Sequence, residues 1–228
     1  MVDIEIGGVS YATQLRVTNT SDRPLFFVTR FIPTGEDGTK RSSADATATP
    51  IGVSPGQTFV FTNLTRSSPT GGMLEITGDD ELFFTAVLLP RVGSELGLGS
   101  EAPIIGSQQI VPAGQAITLQ GLRRDAEHVS NLALLNLSQQ ANHCTVDLYA
   151  ADGSSLMNRA ALELAPLSHN FWPDALSMVG VAQASEARFQ ITCTAGAYAF
   201  AQTVNLSSAA VSTILRSPSL HSTLARPL

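Results

Sequence analysis

The stretch LRVTNTSDRPLFFVTRF, from Leu15 to Phe31, decides the fold because it occurs twice in outline. Its companion is LALLNLSQQANHCTVDL, from Leu132 to Leu148, and the two align without a gap at an offset of 117 positions. Leu15, Val17, Asn19 and Ser21 fall on Leu132, Leu134, Asn136 and Ser138. Phe27, Thr29 and Phe31 fall on Cys144, Val146 and Leu148. Leu15 and Val17, like Cys144, Val146 and Leu148, alternate with polar neighbours, the period of a strand with one buried face. A polar link separates the runs, NTSDRP in one copy and NLSQQANH in the other. Each copy therefore predicts strand, turn, strand.

The echo continues downstream. MLEITGDDELFFTAVLL (Met73–Leu89) and RFQITCTAGAYAFAQTV (Arg188–Val204) both read strand, turn, strand, 115 positions apart. Ile76 matches Ile191, Thr77 matches Thr192 and Ala86 matches Ala201. The turns, GDDE and TAG, use residues that tolerate tight or positive-φ geometry. A further unit occurs three times: VSPGQTFVFTNL (Val53–Leu64), VPAGQAITLQGL (Val111–Leu122) and LAPLSHNFWPDAL (Leu164–Leu176). Each joins an apolar residue to a Pro-containing turn and then an apolar-rich strand.

Such self-similarity implies two halves that bury the same face. The expected fold is all-β, with two tandem antiparallel β-sandwich domains related by internal pseudo-symmetry, each sealing its own interior. Domain one is placed at 1–92, a Gly- and Ser-rich linker at 93–106, domain two at 107–218 and a flexible tail at 219–228. A long loop, Pro33–Pro50, interrupts domain one, and domain two shortens the same connection to ADGSSLMNRAA. Loops of that length often carry function. One helix of a turn or two is expected within Asp174–Ala187, with Asp174 as its N-cap.

Composition agrees. Of 228 residues 43% are apolar and only 14% charged, which suits a chain of many strands and turns better than one of charged helices. Net charge is −6, and no basic cluster exceeds the pairs Lys40-Arg41 and Arg123-Arg124, so a nucleic acid is not expected as partner. No apolar run approaches ~18 residues, so no membrane insertion is expected. The opening MVDIEIGG shows no secretory leader, which leaves a cytoplasmic protein or a secreted one with its leader already removed.

Gly121–Ser154, GLRRDAEHVSNLALLNLSQQANHCTVDLYAADGS, resembles a recurrent module of secreted bacterial proteins. There a Gly-Leu-Arg-x-Asp lead-in precedes an Asn-Leu-x-Leu-x-Asn strand, a variable turn and a strand ending Tyr-Asp-Ala-Asp-Gly. ELAPLSHNFW and the strands around Cys193 continue the likeness, which covers most of domain two. In strand order the chain is also similar to the sensory rhodopsin transducer family of small oligomeric β-sandwiches. Neither resemblance implies a catalytic activity. The first implies a secreted or periplasmic accessory module, the second oligomerisation and binding of carbohydrate or protein. Ala150 stands where the first pattern has Asp, which argues against a metal in that loop.

Cys144 begins one predicted strand and Cys193 ends another. If the two strands are antiparallel neighbours, a disulfide is possible; a pair of buried free thiols is the alternative. The matched residues in domain one, Phe27 and Gly78, form a large-small pair able to fill the same space. A bridge would favour an oxidising compartment. His128, His143, His169 and His221 lie in no nucleophile motif and read as satisfied surface histidines. Asp79-Asp80-Glu81 and Glu36-Asp37 lack calcium-loop spacing, so no metal or cofactor is expected. Asn19, Asn63, Asn136 and Asn205 begin N-x-S/T triplets, read as Asx-turn residues rather than glycan acceptors. Trp172 suits core packing, with a ligand platform as the alternative. Arg124 and Asp125 read as a local ion pair.

The expected function is a non-catalytic structural or interaction module that binds protein or glycan and self-associates. The alternatives are a hydrolase such as a glycosidase, with paired carboxylates in a cleft between the domains, and a structural component of a virion or appendage.

Overall fold

The computed structural model describes residues 4–6, 9–40, 50–61, 71–92, 95–96, 99–152 and 156–216. Residues 41–49 of the long loop, Asn63, His221 and the tail expected at 219–228 lie outside these.

The first half contributes β1 (Ile4–Ile6), β2 (Val9–Asn19), β3 (Leu25–Pro33), β4 (Ile51–Val53), β5 (Thr58–Phe61), β6 (Gly72–Gly78), β7 (Leu82–Val92), β8 (Glu95–Leu96) and β9 (Ser100–Ala102). The second contributes β10 (Ala116–Arg124), β11 (His128–Asn136), β12 (Asn142–Tyr149), β13 (Leu156–Leu164) and β14 (Ser168–Trp172). A short helix α1 (Ala175–Met178) follows, then β15 (Ala184–Cys193), β16 (Ala197–Asn205) and β17 (Val211–Leu215). Asp174 caps α1 by accepting from the Ser177 amide. The chain is thus nearly all β, and every strand pairing among the described residues is antiparallel.

Several pairings coincide in register between the two halves. Leu15 lies between Phe61 and Ala86, and its counterpart Leu132 lies between Trp172 and Ala201. Phe27 faces Gly78, and Cys144 faces Cys193. The link between the paired strands is built identically. The Asn19 carboxamide accepts from the Ser21 amide and donates to the carbonyls of Arg23 and Val53. Asn136 accepts from the Ser138 amide and donates to Gln140 and Ala165. Both side chains are fully buried, so each carboxamide needs these partners in place of water.

Two features depart from the sequence reading. Part of the stretch read as linker is strand: β9 pairs with β7, Ala102 opposite Ala86. The halves also share their interiors. Val129, Val204, Val211 and Phe171 of the second half pack against the core that contains Leu15, Phe27 and Leu88. Ala133, Leu135, Tyr198 and Phe200 form a further cluster with Met73 and Ile105. β11 and β16 are therefore buried on both faces, as their runs LALL and AYAFA, short of polar residues, allow. Hydrogen bonds close the seam: the Gly35 amide to the His169 carbonyl at 2.8 Å, the Gly38 amide to Pro166 at 3.0 Å, and the Tyr11 hydroxyl to Ala209 at 2.9 Å.

Candidate functional site: two open strand edges

The unit that occurs three times in the sequence takes two different places. In all three copies the turn holds a residue at positive φ, Gly56, Gly114 or Leu167. Pro at the preceding corner and Gly after it favour this turn in the first copy. Beyond the turn the copies diverge. β5 and β14 lie on β2 and β11 at matching positions. β10 instead lies along β15, with Ile117 opposite Ile191, Leu119 opposite Phe189 and Leu122 opposite Ala187. Register shifts near Gly121, whose φ is +90°, bend the end of β10 towards β11.

The counterpart of β15 in the first half is β6. Among the described residues β6 pairs only with β3, and its other edge has no strand beside it. That edge borders a cavity of about 380 Å³. Gly72, Leu74 and Ile76 line it at the positions that β10 covers in the second half. Leu15, Phe84 and Ala86 form the opposite wall, and Pro103–Gly106 with Leu135, His169 and Phe200 close it from the seam. Arg30 and Glu75 stand at its border, with Nε to carboxylate at 2.6 Å. Arg30 also donates to the Gly38 carbonyl. His169 is buried, and burial pushes its pKa down to about 3, so its ring is neutral at ordinary pH. Its Nδ1 meets the Thr34 hydroxyl at 3.3 Å, and its Nε2 has no protein partner. The open edge at Leu74 and Ile76 is not legible in the sequence, because an edge is defined by a neighbour and not by the strand itself; His169, expected at the surface, is instead buried where β14 meets the first half.

A second open edge belongs to β13, which among the described residues pairs with β12 alone. Ala160, Leu162 and Leu164 turn towards the core, and the Asn158 carboxamide donates to the Val179 carbonyl. Arg159 and Glu163 face outwards with side chains 61% and 85% exposed. Arg159 reaches Asp147 on β12 through two hydrogen bonds, and Glu163 lies 3.5 Å from His143.

The other candidate residues have structural positions. Cys144 and Cys193 are joined by a disulfide across adjacent strands, with Cα atoms 4.0 Å apart. At the matched site Phe27 packs edge-on against Phe61 and Phe84 at 5.8 and 5.9 Å. A Cβ at Gly78 would lie 2.6 Å from that of Phe27, which is why this side of the pair is glycine. Trp172 is half-buried against the core of the second half. Asp79 shapes the β6–β7 turn by accepting from the Phe26 amide, and Asp37 accepts from Thr39. Asn205 accepts from the amides of Ser207 and Ser208, a third Asx turn. Arg124 does not pair with Asp125. It reaches Asp174 at 2.7 Å, while Asp125 turns back to the amides of Glu127 and His128. The β10–β11 hairpin directs the two side chains apart.

No helix among the described residues is long and apolar enough to cross a membrane. No family model matches the chain, and comparison with curated proteins and with solved structures finds no match either.

Proposed function

We propose that the chain is a non-catalytic interaction module that associates with a second copy of itself through the edge of β13. The observation that carries this reading is the charge order of that edge. Antiparallel pairing of β13 with itself about Ala161 sets Arg159 opposite Glu163 of the second copy, and Glu163 opposite Arg159. Opposite charges directly across a strand pair stabilise it, and like charges oppose it. The same register brings Ala160 opposite Leu162 and so continues the apolar face beneath. A nine-residue strand with one edge uncovered among the described residues is a ready template for such addition. The resemblance to oligomeric β-sandwiches points the same way. The Cys144–Cys193 disulfide fits a secreted or periplasmic setting.

Sedimentation velocity over a range of concentrations tests the reading. The wild-type chain is expected to dimerise. Glu163→Arg places cations opposite cations and is expected to weaken the dimer at least tenfold. Adding Arg159→Glu to that variant reverses both signs and is expected to restore association. A monomer at every concentration, or a dimer indifferent to Glu163→Arg, contradicts the proposal.

A further inference from the structure

We infer that the first half is a receptor for an extended peptide: the open edge of β6 accepts one antiparallel strand from a partner chain, roughly five to seven residues long, with apolar side chains at alternate positions. The second half shows what such an occupant looks like. β10 lies against β15, and its Ile117, Leu119 and Leu122 are buried in the core. The matching positions on β6 are Ile76, Leu74 and Gly72, and there the space is the cavity. Its floor and wall are already apolar and shaped by the same strand plan, with Leu15 and Ala86 standing where Leu132 and Ala201 back β10.

The chemistry of the edge selects a peptide over a small apolar molecule. A strand edge presents alternating N–H and C=O groups, and another extended backbone satisfies all of them in one register. Apolar volume behind the edge then selects side chains at every second position of the guest. The guest residue opposite Glu75 corresponds to Thr118, which faces Gln190. The Glu75 carboxylate favours a hydrogen-bond donor there, Thr or Lys over Asp or Glu. This inference is independent of the β13 edge: a strictly monomeric chain leaves it standing.

The probe is the synthetic peptide QAITLQGL, Gln115–Leu122 of this chain, titrated into the full-length protein. The expected result is saturable binding, slowed hydrogen exchange at alternate amides of β6, and binding at least tenfold weaker when Ile117 and Leu119 of the peptide are replaced by Asp. Register is read by cross-linking. With Ile76→Cys in the protein, the Ile117→Cys peptide is expected to form a mixed disulfide and the Thr118→Cys peptide to lag well behind. Ala86→Leu, which fills the cavity, is expected to abolish binding while leaving the thermal midpoint unchanged or higher. Absence of binding overturns the inference. So does equal binding of the Asp-substituted peptide, equal cross-linking of both cysteine peptides, or undiminished binding to the folded Ala86→Leu variant.

Discussion

β6 and β15 occupy the same place in two halves built on one strand plan, and they differ in what lies beside them. β15 is flanked on both sides, by β12 and by β10. β6 has β3 on one side and an apolar cavity on the other. Where the second half uses a strand to complete its core, the first half has a cavity. The two halves agree in the faces of their strands more closely than in the edges.

The same contrast recurs at the pair that ties each half together. Phe27 and Gly78 do by packing what Cys144 and Cys193 do by covalent bond. The largest expected effect is therefore at Phe27. Phe27→Ala removes a buried ring that touches Phe61 and Phe84 and is expected to cost about 3–5 kcal/mol, read as a shift in the denaturation midpoint. Opening the disulfide, by reduction or by Cys144→Ala with Cys193→Ala, frees a loop of 49 residues and is expected to cost about 2–4 kcal/mol. Because the halves share their interiors, each change is expected to shift one common transition. Two separate transitions would break the comparison.

Asn19 and Asn136 make the same bonds in the two halves and are expected to behave alike. Asn19→Ala and Asn136→Ala each remove a buried carboxamide that joins three backbone groups, at a cost of about 1–3 kcal/mol each. A variant cost confined to one half would show that only one link is structural. Gly78→Ala sharpens the pair argument, since the added methyl meets Phe27 and Phe26; a loss of about 1–3 kcal/mol is expected.

The most gradual effect is a pH dependence, spread over several pH units. His169 in the fold binds its proton only near pH 3, whereas in the unfolded chain it does so near 6.5. Below about pH 6.5 the unfolded state holds more protons, so the neutral ring's contribution is complete above that pH and is lost as pH falls towards 3. The slope is at most about 1.4 kcal/mol per pH unit. His169→Gln is expected to flatten stability between pH 6.5 and 4 in denaturant titrations, compared with the wild-type chain.

The sequence carried the strand faces well. Leu15 and Leu132, or Ile76 and Ile191, alternate with polar neighbours because one face is buried, and that pattern needs no knowledge of the partner strand. The turn chemistry of Asn19, Asn136 and Asn205 was equally local. The seam was harder: Leu135 and Phe200 look like ordinary core residues until the second face of their strands is seen to be covered. The open edge was legible only as an inequality. Three copies of the Pro-turn unit are distributed over two halves, and VPAGQAITLQGL has no counterpart among the described residues. Nothing in its own residues says that it lies on β15 rather than where β5 and β14 lie, because that choice is made by the bend at Gly121 and by contacts far along the chain.

Amide hydrogen exchange resolved by residue, compared between β6 and β15 in the free protein, tests the central claim most directly. On this account protection is continuous along β15, while β6 alternates, with amides towards β3 protected and amides towards the cavity exchanging fast. Unbroken protection along β6 equal to that of β15 would mean that a strand already covers the edge, and would contradict it.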